Sequence, residues 1–376
     1  MEHILLSASL AFLITFFAIP IIIQVAKDKK LFDEPDERKV HKTVIPTLGG
    51  LGIFAGFIIA TLMGVPSGIA SELQYFAAAA TVIFFLGLKD DILVLSASKK
   101  FIGQLIAAGI VIRFGGVQLT NMHGFLGIYE IPHIASVILT IFTIIVITNS
   151  FNLIDGVDGL AGSLGVLTTL VFGVYFFFAG QLTYAVMALS MTGSIIAFLI
   201  YNFSPAKIFM GDTGSLLLGL VNSILVIKFI NIAGIIPTAK FGLEASPAIG
   251  FAILMIPLFD TLRVFTLRIL DRRSPFSPDR THVHHFLLDI GFNHRMITIT
   301  CVTVNMAFIV AAYLLRGLGT TTVIGILMVS AFSFIGIIYY SRPKNKSAVK
   351  EPKVSNNAII KTRKILSLAP EGVEAD

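Results

Sequence analysis

The chain has 376 residues, of which 55% are hydrophobic and only 13% are charged, and its net charge is +6. A soluble domain carries about 25% charged residues, so this composition excludes a soluble globular protein and predicts a polytopic membrane protein. The positive net charge does not indicate nucleic-acid binding, because the basic residues follow a membrane orientation. The single cysteine, Cys301, excludes internal disulfides.

Apolar segments close to the roughly 20 residues that a spanning helix needs recur along the chain. We predict eleven spans, at residues 4–26, 48–66, 73–88, 101–114, 134–151, 159–179, 183–202, 212–236, 247–270, 295–315 and 320–340. The sequence thus predicts an all-α transmembrane domain over residues 1–341. Residues 342–376 lose the apolar pattern and predict a disordered tail, basic at first and then acidic.

The basic residues are distributed unevenly between the two sides of these spans. Alternate loops and the tail contain 24 of the 28 Lys and Arg residues, whereas the opposite loops contain only Lys240 and Arg316. Positive loops favour the cytoplasm, which places the N-terminus outside and the C-terminus in the cytoplasm. The first span lacks a basic leader and a small-residue cleavage site, which predicts a retained helix.

Polar segments between the spans contain most of the residues suited to catalysis. They lie at 39–50, 88–91, 149–159, 201–212 and 272–286. The predicted topology places all five on the cytoplasmic face. Aspartate, asparagine, lysine and histidine gathered at a lipid surface predict a metal-dependent active site and not a pore.

The LKDD segment places Asp90 and Asp91 at the end of the third span. A charged carboxylate costs about 2.5–3.5 kcal/mol at the bilayer centre and less at its edge, so a counter-charge is expected. Mg²⁺ suits this role because it prefers hard oxygen ligands and takes few from the protein. The alternative is a solvated helix end beside Lys89.

In NSFNLIDGVDG, Asn149, Asn152, Asp155 and Asp158 recur every three residues, which places them on one face of a helix. A helix cap that opens the sixth span would need only one of the two aspartates. Two aspartates with two asparagines exceed that need and indicate a functional segment.

YNFSPAKIFMGD closes the seventh span with Asn202 and opens the eighth with Asp212. A helix N-terminus favours anions through its free N–H groups. Asp212 is either a simple cap or a ligand beside a bound phosphate or metal. Phe209 is a candidate to stack on a base, although a lone Phe near a membrane is more often core or lipid-facing.

The last polar segment, RRSPFSPDRTHVHHF, contains two prolines that break the helix and predict an exposed loop. Its arginines are suited to hold diphosphate oxygens. His282, His284 and His285 lie within four residues. A structural zinc site would need four ligands, and the chain has no cysteine cluster to supply them.

In this order on an eleven-span chain, LKDD, NLIDGVDG, FMGDTGS and the histidine-rich loop resemble the polyprenyl-phosphate N-acetylhexosamine-1-phosphate transferases, of the glycosyltransferase family 4 type. The resemblance extends from about residue 27 to about residue 290. It implies transfer of a sugar-1-phosphate from a UDP-sugar to a membrane-bound polyprenyl phosphate, with release of UMP. It also implies Mg²⁺ as cofactor, with Mn²⁺ as the alternative ion.

The resemblance further implies roles for individual residues. Asp212 is expected to be the main metal ligand, with Asp90 or Asp91 nearby, and Asp90 is the family's candidate to deprotonate or orient the lipid phosphate. The expected nucleotide pocket contains Asn152, Asp155, Asp158, Asn202 and Phe209. The expected phosphate-binding cations are Lys42 and Lys100. The loop that closes over the sugar and diphosphate is expected to act through Arg280, His282, His284 and His285, the first and second histidines being catalytic candidates.

The last motif separates the branches of the family. The peptidoglycan branch, which uses UDP-N-acetylmuramoyl-pentapeptide, shows three consecutive histidines, whereas this chain has His282-Val-His284-His285. That pattern is similar to the branch that starts O-antigen, teichoic acid or related surface glycans from UDP-N-acetylglucosamine on undecaprenyl phosphate. The expected location is the bacterial inner membrane, and the expected assembly includes a homodimer. The peptidoglycan branch, an inactive scaffold and a transporter are the alternatives.

Overall fold

The computed structural model describes residues 2–29, 45–66, 68, 72–234, 243–273 and 282–342. Its helices are α1 (Glu2–Asp28), α2 (Gly49–Gly64), α3 (Leu73–Leu93), α4 (Ala97–Arg113), α5 (His133–Ile154), α6 (Leu160–Phe178), α7 (Leu182–Asn202), α8 (Gly211–Ala233), α9 (Ser246–Ile253), α10 (Met255–Leu270), α11 (Val283–Ile290), α12 (His294–Leu314) and α13 (Thr320–Tyr340). Every predicted span coincides with one of these helices or, at 247–270, with the pair α9 and α10.

Among the described residues, seven helices are long and apolar enough to cross a membrane: α1, α5, α6, α7, α8, α12 and α13. The pair α9 and α10 is bent by 85° and makes an eighth candidate if it forms one broken span. Helices α2, α3 and α4, predicted as spans, fall outside this set. The chain is therefore a helical, multi-pass membrane protein, as predicted.

Helix α8 is the central element of the bundle. Nearly all of its side chains are buried, and it packs against α2, α3, α5 and α6. A helix that is apolar on all sides is typical of the interior of a membrane bundle. Helix α1 packs on α2 and α7 at the periphery, and many of its side chains are exposed in the isolated chain. The centre of the structure is therefore organised around the helix that begins with Gly211-Asp212.

A small antiparallel hairpin follows α4 and was not predicted. Strand β1 (Asn121–Phe125) pairs with β2 (Ile128–Glu130), and Thr320 at the start of α13 donates a hydrogen bond to the carbonyl of His123. The two strands are too short to give a strong alternating pattern in the sequence.

The polar segments meet because alternate helices begin and end at the same place. Helices α3, α5 and α7 end there with LKDD, NSFNLI and YN, whereas α4, α6 and α8 begin there. The up-and-down order of successive helices thus brings segments that are far apart in sequence to one end of the bundle.

Candidate active site

Lys100, in the first turns of α4, connects two of the predicted carboxylates. Its Nζ lies 2.7 Å from Oδ2 of Asp212 and also contacts the Asp90 carboxylate. On the other side of Asp212, Asn152 donates to Oδ1 at 2.8 Å and to the Ser215 hydroxyl at 3.0 Å. The structure therefore brings together one residue from each of three predicted motifs and the predicted phosphate-binding lysine.

Asp91 has a different environment from Asp90. Its Oδ1 accepts the backbone N–H of Asp212 at 2.7 Å, and its Oδ2 accepts the backbone N–H (3.0 Å) and hydroxyl (2.5 Å) of Thr213. These contacts satisfy N–H groups that the start of α8 leaves unpaired, which is the role of an N-cap supplied from another helix. Asp91 thus positions the start of α8, and its predicted roles in metal binding and catalysis stay predictions.

Close backbone approach fixes the start of α8 against α2 and α3. The amide of Gly49 donates to the carbonyl of Phe209, and the amide of Phe209 donates to the carbonyl of Pro46. Gly211 has φ +70°, and a Cβ there would lie 2.2 Å from the Thr47 carbonyl oxygen. Only glycine accommodates both the left-handed backbone and this contact. The PTLGG segment thus frames the Asp212 turn.

Asp158 and Asn202, both predicted to line the nucleotide pocket, hold loops together. Asp158 accepts the backbone N–H of Ala206 at 3.1 Å, while Asn202 accepts that of Gly159 at 3.0 Å and donates to the carbonyl of Ile208 at 2.9 Å. Both side chains are buried. They tie the end of α7 and the loop after it to the start of α6. Their predicted contact with the nucleotide stays a prediction.

Asp155 follows the last residue of α5 and lies in a strongly negative environment. Burial, and then the charges of Asp212, Asp91 and Asp158, raise the pKa of Asp155 well above its usual range. Among the described residues, the ammonium group of Lys100 contacts the nearby carboxylates of Asp90 and Asp212. The site as a whole therefore favours an additional cation.

His284, in the histidine-rich segment, reaches the polar segment after α5. A Cβ placed on Gly156 would lie 2.9 Å from its Nε2, so the ring packs directly on that glycine. Burial, and then the neighbouring charge of His285, lower the pKa of His284 to about 3, which makes the ring neutral near pH 7. Its Nδ1 has no hydrogen-bond partner among the described residues. His284 is thus suited to hydrogen bonding and not to charge pairing.

The described residues offer oxygen ligands suited to Mg²⁺, and the metal itself stays a prediction. Among the described residues, no three His, Cys, Asp or Glu side chains form a metal-binding group, and the Asp91 carboxylate accepts hydrogen bonds from the start of α8. Asp90 and Asp212 remain as a pair on Lys100. Mg²⁺ is often bound through one or two carboxylates plus substrate phosphates, and this donor set fits that pattern.

Two predicted site residues, Lys42 and Arg280, lie outside the described residues, as does the predicted tail beyond residue 342. Phe209 is half-buried beside the Asp212 turn. His285 packs beside His284 with its ring tilted by 46°, at 4.3 Å between ring centroids.

Comparison with known proteins supports the motif assignment. The family model described as glycosyl transferase family 4 matches residues 73–230. A protein of Bacillus subtilis, named as a probable undecaprenyl-phosphate N-acetylglucosaminyl 1-phosphate transferase, is 35% identical over 84% of this chain and 86% of its own length. The chain belongs to glycosyl transferase family 4.

Other family 4 relatives have related names. A decaprenyl-phosphate N-acetylglucosaminephosphotransferase of Mycobacterium tuberculosis is 33% identical over 77% of this chain and 76% of its own length. An undecaprenyl-phosphate alpha-N-acetylglucosaminyl 1-phosphate transferase of Salmonella typhimurium is 30% identical over 82% of this chain and 81% of its own length. These matches extend well beyond residues 73–230, so the similarity in sequence covers most of the helical bundle.

Three residues near the family 4 site were not predicted from the sequence. His294, which opens α12, has its Nδ1 3.3 Å from the backbone nitrogen of Asp158, and Thr298 donates to the Asp158 carbonyl at 3.1 Å. Asp260, inside the predicted ninth span, pairs with His282 at 2.9 Å. A signal existed only for Asp260, since an ionisable residue within a membrane segment is a candidate functional residue by itself.

Proposed function

We propose that this protein transfers N-acetylglucosamine-1-phosphate from UDP-N-acetylglucosamine to undecaprenyl phosphate and releases UMP. The product would begin a cell-surface glycan such as O-antigen or teichoic acid. The observation that carries the proposal is the Asp90–Lys100–Asp212–Asn152 cluster at the start of α8. The names of the relatives in Bacillus, Mycobacterium and Salmonella support N-acetylglucosamine as the sugar.

The cluster is suited to a reaction between two phosphate groups. Lys100 offers an ammonium group to the donor diphosphate, and Asn152 orients the Asp212 carboxylate. Asp90 and Asp212 would hold Mg²⁺, which when bound neutralises charge on the diphosphate. When the phosphates bind, Lys100 would leave the two carboxylates and contact the phosphates instead. Asp90 and Asp212 would then be free to hold Mg²⁺.

Asp90 acts in this proposal mainly by positioning. A phosphate monoester has a second pKa near 6, so the lipid phosphate is mostly ionised at pH 7 and needs no strong base. Its oxygen attacks the β-phosphorus of the donor, and the bond from that phosphorus to the UMP oxygen breaks. His284, neutral and packed on Gly156, is placed to donate or accept a hydrogen bond beside the NLIDG segment.

The membrane topology forms part of the proposal. Eleven spans with an external N-terminus place the ends of α3, α5 and α7 on the cytoplasmic face, where a UDP-sugar is available. The bias of Lys and Arg towards the same loops supports this sidedness. We place the protein in the bacterial inner membrane, with a homodimer as the proposed assembly.

The test uses purified protein in detergent with undecaprenyl phosphate, Mg²⁺ and radiolabelled UDP-N-acetylglucosamine. Label should move into the lipid fraction, and EDTA should abolish the transfer. Transfer only from UDP-N-acetylmuramoyl-pentapeptide would assign the chain to the peptidoglycan branch. Failure with every UDP-N-acetylhexosamine, in protein shown to be folded, would refute the proposal.

A further inference from the structure

Asp260 is a buried carboxylate to which the proposed reaction assigns no role. It lies in α10, six residues after the sharp bend that separates α9 from α10, and only 3% of its surface is exposed. Charged groups within membrane segments are costly and usually paired, so such a residue needs a specific explanation.

The contacts of Asp260 account for both of its oxygens. Oδ2 lies 2.9 Å from Nδ1 of His282, and Oδ1 accepts the backbone N–H of Val283 at 3.2 Å. Arg263, one helical turn later, donates to Oδ1 at 2.8 Å. The arginine supplies the opposite charge, which favours the ionised carboxylate.

The contact between Asp260 and Val283 stabilises the start of α11. His282 occupies the N-cap position of α11, but its side chain makes no capping hydrogen bond. The first free N–H of the helix, that of Val283, is satisfied by Asp260 instead. A carboxylate from α10 thus satisfies one of the N–H groups that the start of α11 leaves without a partner in the helix.

The other contact determines which nitrogen of the neutral His282 ring carries the proton. An ionised carboxylate only accepts hydrogen bonds, so Nδ1 of His282 carries the proton and Nε2 keeps a free lone pair in the neutral ring. The His282 ring is parallel to that of His284, with 5.7 Å between centroids and 5° between planes. His284 in turn packs on Gly156 of the NLIDG segment.

We propose that Asp260 is a positioning residue for the histidine segment. Its carboxylate fixes the tautomer of His282 and the start of α11, and through α11 it holds His284 against Gly156. The effect on turnover rests on the proposed function, whereas the effect on α11 does not.

Asp260→Asn tests the tautomer. The amide oxygen still accepts the N–H of Val283, but the amide NH₂ donates to Nδ1 of His282 and moves the ring proton to Nε2. We expect kcat to fall about 100-fold, within the range known for a misplaced catalytic proton, while the donor KM changes less than about threefold. In a His282→Ala background, Asp260→Asn should cause no further loss.

Asn305→Ala is the matched structural control. Asn305 accepts the N–H of Ile256 at 2.9 Å and donates to the carbonyl of Ile253 at 2.9 Å, so it stabilises the same bend without contacting His282. We expect this variant to lower the melting temperature and to leave the kcat of the folded protein close to that of the wild type. Wild-type kcat in Asp260→Asn, or a full additional loss on top of His282→Ala, would overturn the proposal.

Hydrogen exchange tests the cap without any assay of activity. Asp260→Ala removes the acceptor for Val283, so the first amides of α11 should exchange about fivefold faster, whereas Asp260→Asn should leave them near the wild-type rate. Unchanged exchange in Asp260→Ala would overturn the inference. Absence of transfer in the wild type would instead count against the proposed function alone.

Discussion

Gly87 lies on the face of α3 that meets the start of α8, one turn before Asp91. A Cβ at this position would lie 2.5 Å from the Thr213 Cα, 2.6 Å from the Thr213 nitrogen and 2.8 Å from the Asp212 carbonyl carbon. All three are backbone atoms, so no side-chain rotation relieves the overlap. Gly87→Ala must therefore move the LKDD end of α3 away from the Asp212 turn.

The size of the displacement follows from these distances. Ordinary contact begins at 3.4 Å, so a closest approach of 2.5 Å requires a shift of about 0.9 Å. Overpacking of this kind costs about 1–3 kcal/mol of stability. A misplacement of about 1 Å between reacting groups reduces turnover about 100-fold. We therefore expect a large loss of kcat in protein that still folds.

The assay measures lipid-linked product per folded protein in detergent, together with the melting temperature. Gly109→Ala in α4 is the matched control, because a Cβ there has nothing within 4 Å, and it should retain wild-type turnover. Turnover of Gly87→Ala within about threefold of wild type would show that the spacing of α3 and α8 is not critical. That result would refute the proposed cooperation between Asp90 and Asp212.

Three further changes test separate parts of the site. Asp212→Asn should abolish Mg²⁺-dependent turnover with unchanged expression, and full activity would exclude Asp212 as a metal ligand. Phe209→Ala should mainly raise the donor KM in steady-state kinetics, and an unchanged KM would return Phe209 to a packing role. Because burial and neighbouring carboxylates raise the pKa of Asp155, the folded state binds its proton more tightly, and the contribution of Asp155 to stability falls as pH rises above about 4. Asp155→Asn should therefore raise the melting temperature at pH 8 but much less near pH 4; an equal difference at both pH values would contradict this reasoning.

The sequence identified candidate site residues by their chemical type. It did not show which contacts each of two adjacent candidates makes. Asp90 and Asp91 are adjacent and chemically identical, yet Asp90 contacts Lys100 while Asp91 caps α8. Successive residues on a helix point about 100° apart, so the neighbouring helices determine which one faces the site. Asp158 and Asn202 were likewise predicted by their chemical type, and only the structure showed that each accepts a hydrogen bond from a loop N–H group.

Composition and hydropathy were sufficient for the helical membrane fold, because apolar segments of this length must satisfy their backbone hydrogen bonds internally in lipid. The motifs were sufficient to identify the family, because the order and spacing of LKDD, NLIDGVDG and FMGDTGS can be read directly from the sequence. Only the tertiary structure determined that Lys100 lies between Asp90 and Asp212, and that Asp260 holds His282. All three contacts depend on how whole helices pack, which no local pattern encodes, and the Lys100–Asp212 contact joins helices far apart in sequence.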